Sequence, residues 1–215
     1  MTIMIRINEL VKCIDGFKCL ADVGCDHGYL IIESLKMFDL DEAIAIDNKK
    51  GPLSQAMINV NNSGYGSKVK FSLSSGIKEI SYKTDVVVIA GMGGMLISDI
   101  LNDDLKNVKR LVLQPNRDIK EVRCKISNLG FNISLEKIVY ENDKYYEILV
   151  CDKNDIKVLY TDEELEFGPY LLKHKDEMFI NKWHNELLKL KNIKKFNQVN
   201  EDLDKKIERI EKILC

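Results

Sequence analysis

Asp22-Val23-Gly24-Cys25-Asp26-His27-Gly28-Tyr29 closes an apolar run, and Ala43-Ile44-Ala45-Ile46-Asp47 answers it downstream. The first stretch reads as a strand that breaks into a glycine turn and enters a helix. The second reads as the next strand, ending on an acid about 20 positions past the turn, where nucleotide-binding α/β folds hold ribose hydroxyls. Together they predict a βαβ unit and a nucleoside ligand.

Two replacements narrow the ligand further. A dinucleotide site uses G-x-G-x-x-G so that backbone amides approach a pyrophosphate. Here only the first glycine is present; Asp26 and Tyr29 occupy the other two places. A carboxylate beside a pyrophosphate adds repulsion, so NAD fits badly. S-adenosylmethionine keeps the adenosine but carries an amino-acid tail and a positive sulfonium, which tolerate an acid in the loop.

Beyond the loop, apolar segments alternate between the two periods. Ile7, Leu10, Val11 and Ile14 predict a short leading helix with Arg6 at its start. Tyr29 to Phe38 and the stripe Leu53, Ala56, Met57 and Val60 predict helices, with strands at 43–47, 69–74, 85–90 and 110–113. Continuous apolar strands belong to parallel sheets covered on both faces. Asp118 is expected to cap a helix running to Leu129. Ile133 to Tyr140 and Tyr145 to Cys151, around an Asn142-Asp143 turn, should close the sheet as an antiparallel pair.

Polar residues dominate 152–162, a linker that divides a Rossmann-like α/β domain over 1–153 from a helical region over 162–215. Ile180, Trp183, Leu187 and Leu190, then Leu203, Ile207, Ile210 and Leu214, predict the seams of an αα-hairpin joined around 197–201.

The 215 residues, 45% of them hydrophobic, suffice for such a core, and the net charge of −2 gives no global attraction to nucleic acid. The first 15 residues lack a signal-peptide core, and the apolar run from Val86 to Met92 is too short to span a bilayer. A soluble cytoplasmic protein is expected, with no membrane and no obligate protein partner. The six cysteines form no C-x-x-C pair, so they read as reduced and structural, and no metal site is expected.

With Asp22-Val-Gly-Cys-Asp-His-Gly-Tyr29, Gly51-Pro52, Ala90-Gly-Met-Gly-Gly94, Gln114-Pro-Asn116 and Lys144-Tyr-Tyr-Glu147 in order, the chain resembles the bacterial tRNA (adenine-22-N1)-methyltransferase family. The resemblance extends through Phe167-Gly-Pro-Tyr-Leu-Leu-Lys173 into the helical tail, which in that family is a coiled-coil-like RNA-contacting domain. It implies a class I methyltransferase fold, with a mostly parallel sheet and an antiparallel last strand. It also implies methyl transfer from S-adenosylmethionine to N1 of an adenine in tRNA. By position it places Gly24, Cys25 and His27 under the methionine end, Asp47 and Asn48 at the ribose, and Ser75 and Gly76 at the adenine edge. Gly91 and Met92 then stand near the transferring methyl. Three positions depart from the usual pattern: Cys25 stands for a serine, Gly28 for an alanine, and Asp47 for what is often a glutamate.

Adenine N1 carries its own lone pair, so transfer needs positioning more than activation. The product is cationic, and Asp26 is a candidate to stabilise that charge; the alternative is that it caps the following helix. Arg6 either holds a phosphate or base at the site mouth or is a solvated helix-start residue. His27 reads as a loop residue rather than a base, because the reaction needs none. Gly91-Met92-Gly93-Gly94 replaces the Asn/Asp-Pro-Pro-Tyr that grips exocyclic amines, which favours a ring nitrogen. Asn116 either reads a base edge or caps a proline turn. Lys189, Lys191, Lys194 and Lys195 make a local cationic face, suited to RNA phosphates or simply solvated. The rival readings are a methyltransferase acting on another RNA position or a small molecule, and a non-catalytic RNA- or partner-binding protein.

Overall fold

A computed structural model describes residues 4–78, 80–102, 105, 107–196 and 200–215. Every residue of β1 (Cys19–Val23) is buried, as its unbroken apolar character demands, so the strand lies in the middle of a sheet. Parallel partners flank it on both sides, β2 (Glu42–Asp47) and β4 (Val86–Met92). Outside these run β3 (Val69–Leu73) and β5 (Arg110–Pro115), also parallel. The long hairpin of β6 (Phe131–Glu141) and β7 (Lys144–Lys153) inserts β7 antiparallel beside β5, giving the order β3-β2-β1-β4-β5-β7-β6. Asn142 and Asp143 turn that hairpin with φ of 51° and 59°, the left-handed pair that short polar residues tolerate in a two-residue turn.

Alternate strand residues point to two cores. On one face Leu20, Ala43, Val86 and Val88 pack under α1 (Ile5–Lys12), α2 (Tyr29–Met37) and α3 (Lys50–Asn62). On the other, Val23, Ile46, Val87 and Ile89 pack under α4 (Gly94–Ile100) and α5 (Ile119–Asn128). The strand order reverses between β1 and β4, which opens a crevice at their carboxyl ends, the place where open α/β sheets bind ligands.

Asp118 does not cap α5. Its backbone is left-handed, with φ 57° and ψ 40°, and its side chain makes no capping hydrogen bond. A cap needs extended backbone to bring the carboxylate over the first-turn amides; instead it lies 3.6 Å from Arg117.

The helical region has a core of its own. Two short helices, α6 (Asp162–Phe167) and α7 (Pro169–His174), precede the antiparallel pair α8 (Glu177–Lys194) and α9 (Glu201–Leu214). A Thr161/Glu164 capping box starts α6. Residues 197–199 of the expected hairpin joint lie outside the described residues. Phe179, Trp183, Leu187 and Leu190 meet Ile207, Ile210 and Ile213, and Ile138 of β6 joins them. The seams are thus shifted by one residue at two ends: Phe179 and Ile213 are fully buried, while Ile180 and Leu214 are only half-buried. A 3.6-residue period keeps both neighbours near the stripe, and packing against Ile138 and Phe167 selects between them.

A buried ionic cluster joins the helical region to the sheet. Arg123 of α5 donates to Glu136 of β6 at 2.8 Å and to Glu147 of β7, and Lys182 of α8 also pairs with Glu147. Arg123 further holds the carbonyls of Leu165 and Glu166 that end α6, and Glu136 accepts the amides of Tyr170 and Leu171 that begin α7. Gly168 lies between them with φ 94°; a Cβ there would stand 2.6 Å from the Glu136 carboxylate. That explains a glycine inside Phe167-Gly-Pro-Tyr170.

Candidate functional site

The crevice at the β1/β4 reversal is a cavity of about 490 Å³. Gly24 and Asp26 line it after β1, Asp47 and Asn48 at the end of β2, Ser75 and Gly76 after β3, and Gly91 and Met92 at the end of β4. These eight candidates, scattered over nearly 70 positions, meet because parallel strands deliver all their carboxyl ends to one side.

The first loop is pinned to its neighbour, since the amides of Gly24 and Cys25 both donate to the Ile46 carbonyl, at 2.8 and 3.1 Å. Gly24 has φ 77°, and a Cβ on it would stand 2.2 Å from the Met92 methyl, so the glycine lets β1 and β4 close on one another. Asp47 is buried; one carboxylate oxygen accepts the Lys49 amide at 2.8 Å and its carbonyl accepts Ser74. Asp26 by contrast is an exposed carboxylate 3.4 Å from His27 Nε2 and makes no capping hydrogen bond to α2. The His27 ring stacks on Tyr29 at 5.8 Å, and its carbonyl accepts from Asn59.

Two candidates do not line the cavity. Cys25 turns into the core under α2 and α3, and burial followed by the charges of Asp22 and Asp47 pushes its thiol far above the usual range. His27 presents its ring to solvent beside Tyr29. Asp22, to which the sequence alone assigns no role, lies buried beneath the loop; burial, then the charges of Asp47 and Asp26, raise its carboxyl to about 7.

Arg6 is not a solvated helix-start residue. From α1 it reaches the ends of β4 and β5, where Nη1 donates to Gln114 Oε1 at 2.5 Å and the guanidinium lies 4.8 Å from the Tyr146 ring centre. Glu141 accepts the Arg6 amide. Gln114, fully buried, donates in turn to Asn116 Oδ1 at 3.0 Å, and Asn116 Nδ2 donates to the Gly91 carbonyl at 2.7 Å. A polar relay therefore runs from Arg6 to the rim of the cavity. Sequence reasoning missed Gln114 because it reads as part of a proline turn. The tandem glycines after β4 have a steric cause too: a Cβ on Gly94 would meet the Asp118 carbonyl at 2.3 Å.

The lysine face of α8 is changed by its partner helix. Lys191 pairs with Glu211 at 2.6 Å and Lys194 with Asp204 at 2.5 Å, while Lys195 donates to Asn192. The low local acidity of α8 is thus compensated by acids from α9, and Lys189 alone of the four faces the cavity between α8 and the β6–β7 hairpin. Among the described residues, no group of three His, Cys, Asp or Glu side chains is placed to hold a metal, and no helix is long and apolar enough to cross a membrane.

Residues 20–214 match the family model described as tRNA (adenine(22)-N(1))-methyltransferase, TrmK. The chain is 31% identical over 207 residues to the tRNA (adenine(22)-N(1))-methyltransferase of Bacillus subtilis, covering 93% of this chain and 86% of that protein. A Streptococcus pneumoniae protein crystallised with S-adenosyl-L-methionine superposes with a TM-score of 0.91 at 34% identity, covering 100% of both chains. Mycoplasma capricolum TrmK, solved with S-adenosyl-homocysteine, superposes with a TM-score of 0.88 at 28% identity, covering 100% of this chain and 98% of that one.

Proposed function

The chain belongs to the tRNA (adenine(22)-N(1))-methyltransferase family, and we propose that it methylates N1 of adenine 22 in tRNA, using the crevice at the β1/β4 reversal for the donor. S-adenosylmethionine supplies an electrophilic methyl on sulfur and departs as S-adenosylhomocysteine. The cavity fits this donor: its 490 Å³ suits a nucleoside with a short tail, and it holds one buried carboxylate at the second strand end.

The supporting observation is the convergence of Gly24, Asp47, Ser75, Gly76 and Gly91 on one cavity whose rim carries the Arg6–Gln114–Asn116 relay. In this reading Asp47 holds the ribose hydroxyls with Asn48 beside it, Ser75 and Gly76 edge the adenine of the donor, and Gly91 and Met92 border the methyl. Cys25 and His27 shape the loop from outside the cavity.

The target nitrogen needs no base, so the chain's work is to orient the adenine and to meet the charge that the product acquires. Asp26 is the exposed carboxylate of the cavity wall, free of any capping duty, and its charge favours the cationic 1-methyladenine ring. Arg6 and Asn116 present donors where the base edge would enter, held in place by Gln114. Exclusion of dinucleotide chemistry rests on the same carboxylate, which would repel a pyrophosphate.

The test is incubation with labelled S-adenosylmethionine and unmodified tRNA transcripts, followed by nucleoside digestion and mapping. Label in 1-methyladenosine at position 22, absent when that adenine is replaced, is the expected result. Donor binding with no transfer to tRNA would overturn the reading.

A further inference from the structure

Donor binding leaves the molecule's larger cavity unexplained. It measures about 1140 Å³ and lies between the β6–β7 hairpin, the loop after β5 and the face of α8. Asn116 stands in its wall while holding the Gly91 carbonyl of the smaller cavity, so the two spaces meet at one side chain.

The cations of the larger cavity fall into two groups. Lys120 pairs with Asp162, Lys182 with Glu147 and Lys206 with Glu186. Lys144, at the start of β7, and Lys189, on α8, line the same space and form no ion pair or side-chain hydrogen bond with any described residue. The carboxylates there are largely taken: Glu166 by Arg209, and Asp118 by Arg117, whose own side chain is mostly exposed. Asp143 accepts the Tyr140 hydroxyl at 3.1 Å.

Between the two unpaired lysines lies an apolar wall. Tyr140 is 44% exposed, its ring 4.6 Å from that of Tyr145, which Asn185 braces through its hydroxyl at 2.8 Å. Leu188 of α8, 60% exposed, faces the same space. Exposed rings beside unneutralised cations are what single-stranded nucleic acid uses: bases stack on the rings and phosphates meet the lysines.

We propose that this cavity seats the loop nucleotides flanking the target adenine, with one unstacked base on Tyr140 and its phosphates bracketed by Lys144 and Lys189. The proposal rests on the tRNA reading above and locates the contacts that reading leaves open.

The full-length protein is tested with an unmodified tRNA transcript, by turnover and by equilibrium binding over a salt series. K144A/K189A is expected to raise KM roughly tenfold and to lower the slope of log affinity against log salt by about 1.4, the value for two phosphates on a single strand. Affinity for S-adenosylmethionine should stay at the parent value, and K144R/K189R should recover binding. Y140A should raise KM roughly tenfold, through loss of one stacked base, while Y140F should not. K36A/K70A, which removes the same charge from α2 and β3 far from this cavity, should leave both readouts unchanged. A parent-like salt slope and KM in K144A/K189A overturns the subsite, as does an equal loss in K36A/K70A. If the parent methylates no tRNA, the functional reading fails instead; the binding series still reports on the lysines, and a salt slope unmoved by K144A/K189A in that case overturns the subsite as well. Binding of a protein in place of RNA, insensitive to these substitutions, would do so too.

Discussion

Charge is buried in two parts of this sheet, and the two are built on opposite rules. At the β6 edge, Arg123 and Lys182 meet Glu136 and Glu147 in a balanced set, and every guanidinium nitrogen of Arg123 donates. At the centre, Asp22 lies under Asp47 and Asp26, with no cation among the causes that set its protonation, and burial with like charge raises its carboxyl to about 7. The balanced set fastens one part of the chain to another. The unbalanced set borders the cavity proposed for the methyl donor, where buried Asp47 has no ion pair with a described residue and is left to accept hydrogen bonds from a ligand.

The sharpest way to break this contrast is to remove Arg123. In R123M two buried carboxylates lose their shared cation, and the carbonyls ending α6 lose their donor. The expected cost is about 3–5 kcal/mol, read by urea denaturation. Within the cluster, Glu147 keeps Lys182, whereas burial already holds the Glu136 carboxyl above the ordinary range against the pull of Arg123 and the Tyr170 amide, and R123M removes its one cation. R123M/E136Q should therefore recover part of the loss. A loss below about 1 kcal/mol in R123M would show that the cluster is not a fastening.

Replacing Asp47 tests the other half of the contrast, where function rather than stability should suffer. D47A is expected to weaken S-adenosylmethionine binding by about 2–3 kcal/mol, the scale for losing hydrogen bonds to a charged acceptor, as read by calorimetry. Its urea midpoint should move much less than that of R123M. Unchanged donor affinity would remove Asp47 from the ribose.

The central site was legible in sequence because its parts are local. Gly24, Asp47 and Gly91 each end an apolar run, and the parallel topology implied by those runs brings them together. What escaped reading is non-local. Gln114 and Arg6 are 108 positions apart, and nothing in Leu113-Gln114-Pro115 announces that the amide is buried. The Arg123 cluster draws on α5, β6, β7 and α8, and each residue alone resembles a surface charge. The acids that neutralise Lys191 and Lys194 arrive on the following helix, so local charge counting overstated that face. Asp118 failed as a cap because its backbone is left-handed, a property that residue type does not encode.

Asp26 separates catalysis from binding at the same loop. D26N keeps the shape of the side chain but removes the charge that would meet the product cation, so kcat should fall roughly tenfold to a hundredfold. Donor affinity and stability should stay near the parent values, because the carboxylate is exposed and caps nothing. Turnover equal to the parent with donor binding intact would sink the catalytic role.

The remaining half of the contrast, Asp22, is tested by a sign. Its carboxyl titrates near 3.8 in the unfolded chain and at about 7 in the folded one, so between those values the folded state binds the extra proton. Stability from this group is therefore present at low pH and is lost as pH rises from about 4 towards 7, at up to roughly 1.4 kcal/mol per pH unit. D22N removes the titration while leaving a neutral side chain of the same shape. The melting temperature of D22N relative to the parent should climb across that interval and level off above it. A pH-independent difference would mean that Asp22 stays ionised in the fold, and the central site would then hold compensated charge just as the β6 edge does.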